Sequence, residues 1–357
     1  MIRYDRPADV SAFEAISAAQ KLAFAPIAFQ ASVALERLGI LQAVADTKEH
    51  GATAGEIAER LSLPVYGVRV LLDMGLSIGL VWQRAERYVL DKVGHFWLND
   101  AMTRVNADFV TDVCYDAMSS LQASVEQQAP RGLARFGSWP TLYPGLTRLP
   151  AHVRSSWLKF DHFYSSSAFA PALSHVFKAR PRRLLDVGGN TGLWATACVE
   201  HDADVEVTIV DLPEQARLTS ERFRDGPHAE RVRVVALDLL DPNAALPQGA
   251  DVVWMSQLLD CFSEEQAARV LRLAADAMSA DSSLFVLETL CDRQKFDAAT
   301  YSVNATSLYF TCIANGVSRM FRSEDLLRLV HEAGLTVTAE HDHIGRGHTL
   351  LHCRKAG

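Results

Sequence analysis

The stretch Leu184-Leu185-Asp186-Val187-Gly188-Gly189-Asn190-Thr191-Gly192 joins an apolar run to a glycine-rich turn. Residues 184–187 suit a buried strand, Gly188 and Gly189 allow a tight turn, and the run 193–199 opens a helix whose first amides face that turn. A turn of this kind takes a nucleoside-bearing ligand. The dinucleotide fingerprint Gly-x-Gly-x-x-Gly fails here, because Val187 stands where its first glycine belongs. The pattern Asp-x-Gly-x-Gly-x-Gly fits, with Asn190 in place of the middle glycine; asparagine is among the few residues that tolerate a left-handed conformation.

Two further acids follow in order. A second strand, 206–210, leads to Asp211, 19 positions past Gly192, and an acid at that place accepts hydrogen bonds from ribose hydroxyls in nucleotide-binding α/β folds. A third strand, 232–237, leads to Asp238, placed to meet an adenine edge. Three signals at successive strand ends point to a nucleoside site.

These residues carry a resemblance. Asp186-Val-Gly-Gly-Asn-Thr-Gly192, Asp211-Leu-Pro213, Asp238-Leu-Leu and Leu258-Leu-Asp-Cys-Phe-Ser-Glu-Glu265 make the chain similar to class I S-adenosylmethionine-dependent methyltransferases, specifically the small-molecule O-methyltransferases with a helical N-terminal domain. The resemblance covers nearly the whole chain, and it is specific for cofactor and fold rather than for substrate. It implies S-adenosyl-L-methionine as cofactor, with contacts at Asp186, Gly188, Gly189, Asp211, Leu212, Asp238, Leu239, Ser256, Gln257 and Tyr164. It also puts Phe160 and Phe163, beside Tyr164, near the methionine end. The implied fold is a Rossmann-like seven-stranded methyltransferase sheet (α/β) with an N-terminal helical, winged-helix dimerisation domain. The expected boundaries are 1–100 for dimerisation, 101–178 for a helical linker and substrate lid, and 179–357 for the cofactor-binding domain.

Composition sets bounds on function. The 357 residues, 49% hydrophobic and 22% charged, are ordinary for a globular protein with more than one core. A net charge of −8 and the lack of a basic run argue against affinity for nucleic acid or anionic membrane. Six cysteines without Cys-x-x-Cys spacing read as reduced thiols, so the expected location is cytoplasmic. The first residues have no apolar signal core, and nowhere do about 18 uncharged apolar residues run together.

From Phe13 to Gly39 the apolar residues recur on more than one helix side, so these helices need partners. In the resembled family this segment forms a homodimer. Thr53-Ala-Gly-Glu56 is a capping box before one helix, a second follows Leu63-Pro64, and 79–82 with 88–90 form a short hairpin. That outline is a winged helix-turn-helix, which raises DNA binding as a rival. The second helix offers only Arg69 as a base, against Asp73, and so has no phosphate-binding face. The loop 130–150 carries Phe136, Trp139, Leu142 and Tyr143, which line a substrate entrance or pack over a domain junction. Residues 155–176 form bridging helices.

From Arg182 onward strands and helices alternate: strands at 183–188, 206–211, 232–238, 251–257 and 283–289, helices at about 192–201, 213–224, 263–279 and 323–333. A parallel sheet follows from those crossovers. The runs 336–343 and 349–353, joined through Gly345-Arg-Gly347, pair as an antiparallel hairpin.

The acceptor side is less regular. The resembled family places the histidine of Leu-His-Asp-Trp as the base that takes the acceptor's proton, and here Leu259-Asp260-Cys261-Phe262 puts Asp260 in its place. Glu288 matches a second family acid, whereas the third falls on Ser318. A carboxyl of raised pKa, an already ionised acceptor, or a carbon nucleophile beside a phenol or enol all remain open. Asp260 as a surface or capping residue also remains open, since Ser263-Glu-Glu-Gln266 is itself a cap signature. His341, His343, His348 and His352 alternate as metal ligands on one sheet face would, but solvated edge histidines are the plainer expectation and no metal is assigned. The resulting expectation is methyl transfer to a small aromatic hydroxylated metabolite, to oxygen in preference to carbon. A cofactor-binding dimer without catalysis and a nicotinamide-dependent oxidoreductase are the alternatives.

Overall fold

Ser11 starts the first helix. Its hydroxyl accepts from the Glu14 amide while the Glu14 carboxylate accepts from the Ser11 amide, a reciprocal cap. That helix, α1 (Ala12–Ala23), buries none of its residues, and Phe13 is 81% and Leu22 73% exposed. Helices α2 (Ala25–Arg37), α3 (Ile40–Asp46), α4 (Ala54–Leu61) and α5 (Val65–Ser77) close round Leu35, Ile40, Leu41, Val44, Ile57 and Leu72. The expected Thr53–Glu56 capping box opens α4. The wing is β1 (Val81–Arg84) and β2 (Arg87–Leu90), two residues later at its start than the sequence reading placed it. Gly79 has φ +74°, a left-handed conformation that ends α5 and cannot belong to a strand. Helices α6 (Lys92–Asn99) and α7 (Ala101–Phe109) complete this part. The computed structural model describes residue 7 and residues 9–356, and it divides into two compact units, one ending at Val110 and the other beginning at Thr111.

The second unit opens with α8 (Leu121–Gln127) and α9 (Ala151–Val176), a single helix where several were expected. Then come β3 (Arg183–Val187), α10 (Leu193–His201), β4 (Glu206–Asp211), α11 (Pro213–Arg224), β5 (Val232–Ala236), β6 (Val252–Ser256), α12 (Glu264–Ala277) and β7 (Ser283–Glu288). The chain ends with α13 (Asp297–Tyr309), α14 (Ser323–Glu332), β8 (Leu335–Ile344) and β9 (His348–Lys355). The sheet order is β5-β4-β3-β6-β7-β9-β8, parallel from β5 to β7, with β9 antiparallel to both neighbours. The strand order reverses between β3 and β6, so the crevice at their carboxyl ends is the switch point where such sheets bind ligands.

Both faces of the sheet are covered, which is why its central strands read as continuous apolar runs. On one face Val253, Met255, Val286 and Leu351 pack under α12 and α14; on the other Trp254 stacks on Trp194 of α10 at 3.9 Å, with Phe285 and Leu287 nearby in the same core. Each such buried side chain contributes about 1.5–3 kcal/mol, so the carboxyl edge rests on a rigid base. β5 ends at Ala236, two residues before Asp238. The Asp238 carboxylate accepts from the Leu240 amide and turns the chain there. α13 has no counterpart in the sequence reading, because Ser302, Thr306 and Ser307 turn back to carbonyls of the preceding turn and leave no apolar stripe.

Candidate active site

The turn after β3 is built by backbone conformation. Gly188 and Gly192 have φ +75° and Asn190 φ +48°. A Cβ on Gly189 would lie 2.6 Å from Asp186 Oδ2, so only glycine lets the turn close over that carboxyl. Asp211 holds the turn from the next strand: its Oδ2 accepts from the Asn190 amide and its Oδ1 from the Leu212 amide, both at 2.8 Å. Burial raises the Asp211 carboxyl while these two amides pull it down. Asn190 uses more than its backbone. Its Nδ2 donates to Asp161 Oδ2 of α9 at 3.1 Å, and its carbonyl accepts from Thr219 of α11 at 2.6 Å. Thr191 adds a contact to His162 at 3.2 Å, and Arg222 donates to the Thr191 carbonyl.

Beneath the turn Asp186 is buried, its Oδ2 without a partner, and burial assisted by the Asp211 charge pushes its carboxyl up to about 8. At the end of β6 the Ser256 hydroxyl is buried and unpartnered, and Gln257, at φ +49°, donates its amide to the Leu287 carbonyl at 2.8 Å. Leu212 is the N-cap residue of α11, and Asp238 is exposed beyond β5. Leu239 is buried in the core. Tyr164 packs on Phe160 at 5.0 Å and on Phe163 at 5.4 Å, and the Arg346 guanidinium lies over the Phe163 ring at 4.1 Å. The glycine cradle and the Asp211 carboxylate held against it fit a nucleoside with ribose hydroxyls, and Ser256 and Gln257 line the neighbouring strand end.

The two acids expected on the acceptor side, Asp260 and Glu288, lie together as well. Asp260 lies in the short turn Leu259–Cys261, 2% exposed, and Glu288, at the end of β7, is 1% exposed. Glu288 Oε1 accepts from the amides of Leu258 at 3.0 Å and Leu259 at 2.8 Å, which fixes the turn that carries Asp260. Its Oε2 has no partner. Burial raises both carboxyls; the Asp260 charge raises Glu288 further and Asp161 raises Asp260, whereas the Cys261 thiol, donating to Asp260 at 3.5 Å, opposes the shift. The surface or capping alternative for Asp260 is overturned by this burial, and the cap of α12 is Ser263 with Gln266. Ser318, at the third acid's place, is buried and accepts from Asn315 Nδ2 at 2.8 Å; the same Nδ2 donates to the Cys261 carbonyl at 2.6 Å. The missing acid is thus replaced by a neutral network that holds the other end of the Asp260 turn.

Trp157 and Tyr309 escaped the sequence reading, whereas Tyr143 was expected at a substrate entrance or a domain junction. Trp157 Nε1 donates to Tyr309 Oη at 2.7 Å, and the buried Tyr143 hydroxyl lies close enough to Cys261, Tyr309 and Asp260 for their charges to raise it. The one available signal was the spacing of Trp157, Asp161 and Tyr164 on a single face of α9. The hairpin histidines are not a set of solvated edge residues. His348 is buried, His352 stacks on Phe285 at 4.4 Å and bonds to Ser283 at 3.0 Å, and His341 packs on His175 at 4.0 Å. Among the described residues no group of His, Cys, Asp and Glu is arranged to hold a metal ion.

Known proteins share both parts of the chain. Residues 17–88 match the Dimerisation2-like domain and residues 169–336 match the O-methyltransferase domain. The 3-hydroxy-5-methyl-1-naphthoate 3-O-methyltransferase of Streptomyces sahachiroi is 29% identical over 258 residues, 71% of this chain and 73% of that protein. The L-tyrosine C(3)-methyltransferase of Streptomyces lavendulae is 22% identical over 267 residues, 74% of this chain and 72% of that protein. Among solved structures, the S-adenosylmethionine-dependent methyltransferase SibL in its apo form superposes with a TM-score of 0.73 at 23% identity, covering 96% of this chain and 100% of that one. With the strand order, the glycine turn and the two domain matches in agreement, the chain belongs to the class I S-adenosylmethionine-dependent methyltransferases, in the small-molecule O-methyltransferase family with an N-terminal dimerisation domain.

Proposed function

We propose that the protein methylates a hydroxyl group of a small aromatic metabolite, with Asp260 as the proton acceptor and Glu288 as the residue that positions it. The observation that carries this reading is the buried Asp260–Glu288 pair beside the Tyr143, Trp157 and Tyr309 side chains, at the sheet edge that holds the glycine turn. When bound, S-adenosylmethionine supplies a methyl group already activated by its sulfonium, so the chain's task is to bring the acceptor into line and take up its proton. Asp211 and the 188–192 turn hold the nucleoside, with Asp186, Leu212, Asp238, Leu239, Ser256, Gln257 and Tyr164 round it. Phe160, Trp157 and Tyr309 offer flat walls for an arene. As the acceptor oxygen gains the methyl, its proton passes to Asp260, and Glu288, bonded to the amides of Leu258 and Leu259, keeps the turn in register.

The acceptor classes named in the relatives support an aromatic substrate, and one of those relatives is named for methylation at carbon, C(3) of L-tyrosine. Residues 1–100 act in this reading as a homodimerisation module, supported by the exposed apolar face of α1, and residues 101–178 as linker and lid. A cytoplasmic location is supported by six unpaired cysteines, five of them buried. Incubation with donor labelled in the methyl group, followed by mass spectrometry of the acceptor, tests the reaction. Label on the acceptor oxygen is the expected result, and label on carbon would move the reading to C-methylation.

A further inference from the structure

One face of α9 presents Trp157, Asp161 and Tyr164 at helical spacing. Trp157 is bonded to Tyr309, Asp161 Oδ2 accepts from Asn190 of the glycine turn, and Tyr164 packs on Phe160. The charge of Asp161 reaches both Asp260 and Tyr309, so these groups share one region. Three carboxyl groups, Asp161, Asp260 and Glu288, therefore stand among aromatic side chains, and Glu288 Oε2 is fully buried with no partner. Asp161 differs from the other two in keeping 29% of its side chain accessible.

The nearby bases do not neutralise this wall. His162 stands 4.0 Å from Asp161, and burial together with the Arg222 charge lowers its pKa and so favours its neutral form. Arg222 is directed at the Thr191 carbonyl and Arg346 at the ring of Phe163. An ammonium group against aromatic faces and a carboxylate gains cation–π and ionic attraction, whereas a carboxylate in the same place meets like charge.

We propose that Asp161 selects the acceptor: a hydroxylated arene bearing an ammonium group, with Asp161 as its counter-ion, is taken, and carboxylated arenes are rejected. The inference rests on the methyl-transfer reading above. It sets this chain apart from the relative named for a naphthoate acceptor.

The test is calorimetric binding of three probes to the full-length protein saturated with S-adenosylhomocysteine: dopamine (cation), catechol (neutral) and 3,4-dihydroxybenzoate (anion). Dopamine is expected to bind about tenfold or more tightly than catechol, and catechol more tightly than the benzoate. In Asp161→Asn, which still accepts from Asn190, the dopamine advantage is expected to shrink to about threefold or less in protein again saturated with S-adenosylhomocysteine. Asp161→Lys is expected to reverse the order of the charged probes. Equal binding of dopamine and the benzoate, or failure of dopamine to bind a protein that does bind S-adenosylhomocysteine, overturns the selection alone. So does an Asp161→Asn protein that loses S-adenosylhomocysteine affinity and keeps its preference for dopamine, since Asp161 would then serve the cofactor. A wild-type protein that binds no S-adenosylhomocysteine overturns the methyl-transfer reading together with it.

Discussion

Asp260 faces a mismatch that its surroundings reduce. A free aspartate near 3.9 opposite a phenol near 10 leaves proton transfer about 8 kcal/mol uphill, at about 1.36 kcal/mol per unit. Burial of Asp260 and the nearby Asp161 charge raise its carboxyl and narrow that gap. Because the base must be ionised to act, turnover is expected to rise with pH through a limb displaced upward from the ordinary carboxylate range. A rate–pH profile with its rising limb near pH 4 contradicts the assignment. Asp211 has a separate role: both its oxygens hold the turn, and in the proposed reading ribose hydroxyls share them. Asp211→Ala is therefore expected to cost about 1.5–3 kcal/mol of S-adenosylhomocysteine affinity by calorimetry, and an unchanged affinity removes the ribose assignment. Asp186 acts on stability. Its folded-state pKa, about 8, lies above the unfolded value, so its contribution is fully present below about pH 4 and is lost as pH rises through the folded value. Urea midpoints of the wild-type protein are expected to fall over that range, and those of Asp186→Asn to fall less; parallel curves rule out Asp186 as the cause.

At the scale of elements, the helix after the Asp260 turn depends on its cap. Ser263 accepts from the Gln266 amide and Gln266 returns a bond to the Ser263 amide, so Ser263→Ala is expected to cost about 1 kcal/mol in urea unfolding. An effect below about 0.3 kcal/mol would mean that α12 is held by its packing alone. This cap was legible in the sequence, as were the sheet strands, because a capping box and an apolar run are local patterns. The end of β5 was not, since the Asp238 turn competes with strand continuation only once Leu237 has paired with Asp211. Asp161 and Tyr309 were also out of reach, and Tyr143, marked only as an entrance or junction residue, could not be tied to Asp260. They arrive at Asp260 from α9, the loop before it and α13, and nothing local in any of those segments marks the others. Asn190 shows a partial case: its tolerance of positive φ was readable, but its bond to Asp161 depends on where α9 passes.

At the scale of the whole molecule, α1 exposes Phe13, Ile16 and Leu22 along a helix with no buried residue, and a second copy of the chain is the proposed cover. Light scattering at micromolar concentration is expected to give a dimer, with Phe13→Asp combined with Leu22→Asp shifting it to monomer; a monomeric wild-type protein contradicts the proposal. The central claim is methyl transfer with Asp260 as the proton acceptor, and it is tested most directly by single-turnover transfer from methyl-labelled S-adenosylmethionine to a catechol in wild type and Asp260→Asn. The account expects label on a catechol oxygen, a rate about 10²-fold or more lower in the variant, and equal S-adenosylhomocysteine affinity in both. An Asp260→Asn protein that transfers methyl at the full rate would contradict it.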